Sequence, residues 1–144
     1  MDKIYTTAAS WDKLIADAMH IREQVFIQEQ NIPEQDEWDD QDEVSLHFIA
    51  YALCNEFKKP IATARLLPNH SIGRVAVLKD YRGQGIGRLI MQSIIEHAKK
   101  EHREFLKLSS QVHAIQFYQS LGFHVEGTEY LDCGIPHIDM IMTL

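Results

Sequence analysis

The chain has 144 residues, 45% hydrophobic and 24% charged, a composition that suits one soluble globular domain over residues 1–144. Its formal charge of −7 argues against nucleic acid as a partner, which needs a basic face, and no apolar run approaches the roughly 20 residues that span a bilayer. The first ten residues show no basic stretch followed by an apolar one, so no secretory signal is expected and the cytoplasm is the expected location.

In chain order, "KIYTT" reads as a short strand. Ser10 then suits a helix N-cap, with Trp11, Leu14, Ile15, Ala18, Ile21, Arg22 and Val25 on one stripe, and that helix should fade near Gln30. "PEQDEWDDQDE" (33–43) reads as a polar, solvated loop broken by Trp38, whose carboxylates could also attract a cationic amine. "VSLHFIAYAL" (44–53), apolar on both alternating faces, suits an interior strand. "PIATARLL" (60–67) and "IGRVAVL" (72–78) complete an antiparallel meander. A helix from residue 86 carries Ile86, Leu89, Ile90, Ile94 and Ala98 inward. "FLKLSS" (105–110) is a buried strand and "HAIQFYQSLG" (113–122) a short helix ended by Gly122. "FHVEGTEYL" and "HIDMIMTL" form a last pair of strands. The fold class is therefore α/β in the α+β sense, a central, mostly antiparallel mixed sheet flanked by helices. Cys54 and Cys133 lie in apolar or strand-like stretches without metal-site spacing, so two buried thiols are expected.

The unusual stretch is "LKDYRGQGIGRLIM" (78–91), where Gly83, Gly85 and Gly87 fall at a helix start. A helix N-terminus presents free N–H groups and a partial positive charge, and glycines let a phosphate approach several of them at once. Lys79, Arg82 and Arg88 make the surroundings basic within an acidic chain. A P-loop would need Lys-Ser or Lys-Thr after the glycines, and a dinucleotide fingerprint would need G-x-G-x-x-G; neither is present. A diphosphate cradle and a ligand-free tight turn are the readings that remain.

Arg82-x-x-Gly85-x-Gly87 after the strand "RVAVL" resembles the acyl-CoA loop of the GCN5-related N-acetyltransferases (GNAT), whose motif is Q/R-x-x-G-x-G/A. "HAIQFYQSLGF" resembles the downstream element of that family, with Ala114, Phe117, Tyr118, Gly122 and Phe123 in matching places. "IREQVFIQEQNIP" (21–33) and "EYLDCGIPHIDM" (129–140) extend the likeness to the ElaA/YjcF-like branch. The resemblance implies the acyl-CoA N-acyltransferase fold and acetyl-CoA as co-substrate. Arg82, Gly83, Gln84, Gly85, Ile86, Gly87 and Arg88 would cradle its diphosphate. Val75, Ala76 and Val77 would offer backbone groups to the pantetheine and thioester, beside Phe117, and Gln111 stands where many members carry an asparagine for the pantetheine arm.

Acetyl transfer to an amine needs a proton donor for the departing thiolate and a proton acceptor for the nitrogen. Tyr118 is the expected acid, since a phenol near pKa 10 stays protonated at neutral pH; an ordinary core tyrosine is the other reading. Glu29, matching a glutamate of the branch, is the first candidate base, with His137 and Asp139 second. The expected activity is direct transfer in a ternary complex to a small-molecule or peptide amine, with no metal. A non-catalytic acyl-CoA-binding module competes with it, and a homodimer stays open.

Overall fold

Seven strands form one sheet in the computed structural model, which describes residues 3–144. They are β1 (Lys3–Ser10), β2 (Leu46–Cys54), β3 (Phe57–Leu66), β4 (Ser71–Val77), β5 (Phe105–Gln111), β6 (His124–Asp132) and β7 (Ile135–Thr143), in the spatial order β1-β2-β3-β4-β5-β7-β6. Every neighbouring pair is antiparallel except β4 and β5, which run parallel. The mixed, mostly antiparallel sheet and its meander are those expected from the alternation of apolar residues.

β2 explains its own double-sided hydrophobicity. Phe48, Ala50 and Ala52 join the core on one face, while Ile49 and Tyr51 join the core on the other. Helix α1 (Trp11–Arg22), continued by π-helical turns through Glu29, buries Leu14, Ala18, Ile21 and Val25 against Ile49, Tyr51 and Ala76. Ile15, at the margin of the stripe, is exposed instead. Ser10 does precede the helix with extended backbone, but its hydroxyl donates to the Asp12 carboxylate rather than capping an N–H. Helix α3 (Ile86–Lys100) packs on the opposite face through Ile86, Ile90, Met91, Ile94 and Ala98. Met91 is fully buried, whereas Leu89 is only half-buried. Full burial of such side chains contributes about 1.5–3 kcal/mol each.

The segment 33–43 departs from the solvated loop expected of it. It begins with a short helix, α2 (Glu34–Glu37), and it buries Glu37 and Asp42 to 2% and 3% exposure. Three arginines from three elements hold it. Arg22 of α1 donates to Glu37 and Asp42, each at 2.7 Å, between the rings of Trp11 and Trp38. Arg65 of β3 donates to Asp39 at 2.7 Å and Asp42 at 2.8 Å, and Arg74 of β4 stands 3.2 Å from Glu37. Buried cations require opposite charge, and the acidic run supplies it. The Arg65 hydrogen bond pulls Asp39 down to about 2, while burial pushes Glu37 up against the pull of Arg74 and Arg22.

The two cysteines also differ from expectation. Cys54 is half-buried and Cys133 is exposed. Cys133 and Gly134, at φ +50° and +75°, make the two-residue turn of the β6–β7 hairpin, so the apolar neighbours that suggested burial belong to the strands.

Candidate functional site

The site opens where β4 and β5 part. Their parallel ladder has only two rungs, Ser71 with Lys107 and Ile72 with Leu108. Beyond them Gly73–Val77 and Ser109–Gln111 diverge, leaving the backbone edges of both strands unpaired with each other. A bulge on β4 helps to turn the strand away. Arg65 faces Gly73 and Thr63 faces Ala76, so Arg74 and Val75 both stand opposite Ala64, and Arg74 takes φ +53°. Val75, Ala76 and Val77, expected along the pantetheine arm, line the resulting slot.

At the far end of β4 the chain makes a turn over Lys79–Tyr81 and enters the glycine loop. The three glycines differ. Gly83 and Gly85 take φ +77° and +80°, and a Cβ at either position would meet only open space. Gly87 is ordinary helix, and a Cβ there would meet the Phe117 ring of α4 (Ile115–Ser120) at 3.4 Å, an ordinary contact, so packing alone does not require glycine at this position. The first helical bond runs from Leu89 N–H to the Gly85 carbonyl at 3.0 Å. The N–H groups of Ile86, Gly87 and Arg88 therefore precede the ladder and face outward. A concave backbone with glycines kept clear of side chains fits a diphosphate. Gln84 donates to the Asp80 carbonyl at 3.3 Å, and Arg88 donates to Ser120 at 2.6 Å, tying α3 to α4.

Tyr118 is set by the end of α4. Gly122, at φ +107°, lets its own N–H reach the Gln119 carbonyl (3.0 Å) and the Phe123 N–H reach that of Tyr118 (3.1 Å), a Schellman ending. The phenol ring meets Phe117 and Phe123 edge-on and also lines the cleft. Its hydroxyl has no hydrogen-bond partner among the described residues, and burial pushes it up to about 12. It keeps its proton and has it to give.

Slot, loop and α4 are parts of one cleft of about 920 Å³. It gathers Val75–Val77, Arg82, Gly83, Gly85–Arg88, Gln111, Phe117 and Tyr118. Gln84 and Glu29 are not on its wall. Both oxygens of Glu29 are held by the Arg82 guanidinium, at 2.8 and 2.9 Å, while Arg82 Nε donates to the Val77 carbonyl. The Gln111 amide is engaged at both ends, donating to Gln30 at 3.0 Å and accepting from His113 at 2.7 Å.

On the other wall, sequence reasoning reached His137 as a second candidate base and Asp36 and Glu37 within the acidic run, and missed Phe26, Ile32, Arg74, Asp132 and Ile135. Phe26, Ile32, Asp36, Glu37 and Arg74 meet Asp132, Ile135 and His137 of the β6–β7 hairpin there. No short motif announces these residues together, because they come from the turns that continue α1, the loop after them, α2, β4, β6 and β7; the buried arginine in the α1 stripe was the one available hint that the acidic segment folds inward.

Residues 18–144 match the family model described as an acetyltransferase (GNAT) domain. The chain is 33% identical over 134 residues to YjcF of Bacillus subtilis, an uncharacterised N-acetyltransferase, covering 90% of this chain and 93% of that one. An acyl-CoA N-acyltransferase from Pseudomonas aeruginosa superposes with TM-score 0.82 at 28% identity, over 97% of this chain and 99% of its own. ElaA of Escherichia coli gives the same TM-score, 0.82, and the same identity, 28%, over 97% and 99% of the two chains.

Proposed function

We propose, for a chain that belongs to the GNAT acetyltransferase family in the branch of YjcF and ElaA, that it moves an acetyl group from acetyl-CoA to a primary amine by direct attack in a ternary complex. The observation that carries this reading is the parting of β4 from β5 with the glycine loop at its mouth. From Val77 back to Ile72 is about 17 Å of strand at roughly 3.3 Å per residue, room for an extended arm whose diphosphate lies on the loop. The backbone groups of Val75–Val77 that face away from β3 would pair with that arm, the Val77 carbonyl already accepting from Arg82, and present an N–H to the thioester carbonyl. A preorganised donor there stabilises the oxyanion by a few kcal/mol, about 2.7–4 in measured cases.

Tyr118 would donate to the departing sulfur. Its phenol, at about 12, lies above an ordinary thiol near 8.5, so the hydrogen bond rather than complete proton transfer does most of the stabilising, and solvent completes the protonation. The amine would enter from the wall formed by the α2 segment and the β6–β7 hairpin, opposite the loop. Small amines, polyamines, amino-sugars and peptide amines are the acceptor classes to try.

The test is thiol release from acetyl-CoA against those four classes, with Tyr118→Phe beside the wild type. We expect release with one class and a turnover about 100-fold lower in the variant, at unchanged acetyl-CoA affinity. Equal turnover in Tyr118→Phe would remove it as the acid. Silence of a folded, acetyl-CoA-binding wild type would favour a module that holds the acyl-CoA without transferring it.

A further inference from the structure

We propose that His137 is the general base, taking the proton from the acceptor nitrogen through Nε2 as that nitrogen attacks; this rests on the acetyl-transfer reading above. Three observations point to it: the fixed tautomer of the ring, its place on the cleft wall, and the engagement of the competing carboxylates.

His137 Nδ1 lies 2.7 Å from the Ile135 carbonyl. A carbonyl only accepts, so Nδ1 carries the hydrogen, and in the neutral ring Nε2 is left with its lone pair. Nε2 has no hydrogen-bond partner among the described residues. The imidazole is half-buried and lines the cleft.

Register places it opposite the thioester. The last rung of the β4–β5 seam joins Ile72 to Leu108, and Leu108 pairs with Met140 of β7. His137 is three residues from Met140 and Val75 is three residues from Ile72. The histidine and the proposed thioester-binding strand, which bulges at Arg74 and Val75, thus both lie beyond the last rung at the same open end of the seam.

The ring is also held. Tyr130 pairs with His137 across β6 and β7 and lies over it, rings 6.2 Å apart and 23° from parallel. An irregularity in β6 between Glu126 and Tyr130 re-aims that tyrosine across β7. Its hydroxyl donates to Asp139 at 2.7 Å and accepts from Ser109 of β5. Tyr130, Ser109 and Asp139 are therefore positioning residues for the imidazole.

The other candidates are engaged elsewhere. Glu29 holds Arg82 with both oxygens, Asp139 accepts from Tyr130, and Glu37 is bonded to Arg22 and flanked by Arg74. Asp132 pairs with Ile135 beside the hairpin turn, two residues beyond His137, and the Asp36 carboxylate lies 4.0 Å from the Cys133 thiol of that turn; both also line the cleft. The charged and titratable groups around His137 include Tyr130 and Asp132 from β6, Asp139 on its own strand, Cys133 in the turn, Asp36 and Glu37 from α2, Arg74 from β4, and His113, whose Nε2 donates to Gln111, the β5 residue paired with His137.

The step balances. The nitrogen lone pair forms the bond to the carbonyl carbon, the N–H proton passes to Nε2, and the C–S bond breaks with its electron pair on sulfur, which Tyr118 and solvent protonate. The imidazolium then returns its proton to water.

The test compares His137→Ala, His137→Gln and Tyr130→Phe with the wild type, using acetyl-CoA and saturating spermidine, glucosamine or a lysine peptide. We expect kcat to fall about 100-fold in both His137 variants with acetyl-CoA affinity unchanged, and only a few-fold in Tyr130→Phe. Two readouts separate a base from a structural role. The break between the rising acidic limb and the plateau of the wild-type kcat profile should vanish in His137→Ala, whose rate should rise steadily with hydroxide, and added imidazole should restore activity to His137→Ala. A His137→Ala variant with wild-type kcat, or one slowed with an unchanged profile and no rescue, would overturn the assignment alone. A wild type silent with every amine would overturn the acetyl-transfer reading and the base with it.

Discussion

The segment 33–45 and the glycine loop 82–88 are both built around charge, and they treat it in opposite ways. In the first, Glu37, Asp39 and Asp42 are matched by Arg22, Arg65 and Arg74 from within the chain, so the charges are used up holding the segment against α1 and β4. In the second, the first N–H groups of α3 precede its hydrogen-bond ladder, and the positions of Gly83 and Gly85 beside them face open space. The difference separates scaffold from site. A cluster whose charges are matched within the chain can build a wall of the cleft, although the Arg65 and Arg74 Nε–H groups donate no hydrogen bond among the described residues, whereas a polar concavity left open asks for a ligand.

The widest break in that contrast should come from the closed region. Arg22→Met keeps the length of the side chain between Trp11 and Trp38 but removes the most buried cation of the cluster, leaving Asp42 to Arg65 and Glu37 to Arg74 alone. We expect a stability loss of about 3–5 kcal/mol in urea unfolding, the usual consequence of stranding a buried charge. A loss below about 1 kcal/mol would mean that water reaches those carboxylates and that the segment is the solvated loop its composition suggests.

The same contrast explains what was legible in the sequence. The glycine loop is local: residues 82–88 set their own conformation, so their spacing announces the left-handed turn and the open helix start. The strands are local in the same sense, because period-two alternation and the double-sided apolar run at Phe48–Ala52 depend only on near neighbours. The clamp is not. Arg22 lies 15 residues from Glu37, and Arg65 lies 26 from Asp39, so their pairing follows from packing. Only the presence of Arg22 among apolar stripe residues hinted that a cation would be buried and need a carboxylate. The tautomer of His137, fixed by a carbonyl two residues away in a strand whose hairpin had to be placed first, left no trace in spacing at all.

For the open region the sharpest probe is Gly85, at φ +80° with nothing within 4 Å of its would-be Cβ. Gly85→Val fills the concavity and forces a branched residue into the left-handed region. Losing hydrogen bonds to a charged group at about 1.5–3 kcal/mol each should weaken coenzyme A binding at least 100-fold by calorimetry. Gly85→Asn divides the two causes, since asparagine tolerates that backbone but still adds bulk. Affinity lost in both variants makes the empty space the requirement; affinity kept in Gly85→Asn makes the turn the requirement and shrinks the contrast with segment 33–45 to one of shape.

The smallest expected effect lies where the contrast blurs. Arg82 belongs to the open loop, yet its guanidinium is held by Glu29 across 53 residues of sequence. Both side chains are over a third exposed, so the pair is of the surface kind, worth about 0.2–1 kcal/mol. Glu29→Gln should release Arg82 toward the diphosphate and tighten coenzyme A binding by no more than about five-fold, the upper end of that range. The gain should fade at high salt, because exposed charges are screened over about 10 Å at 0.1 M. Turnover should change little if the nitrogen proton goes to His137. Unchanged affinity with a collapse in turnover would instead make Glu29 the base and leave Arg82 merely a neighbour of it.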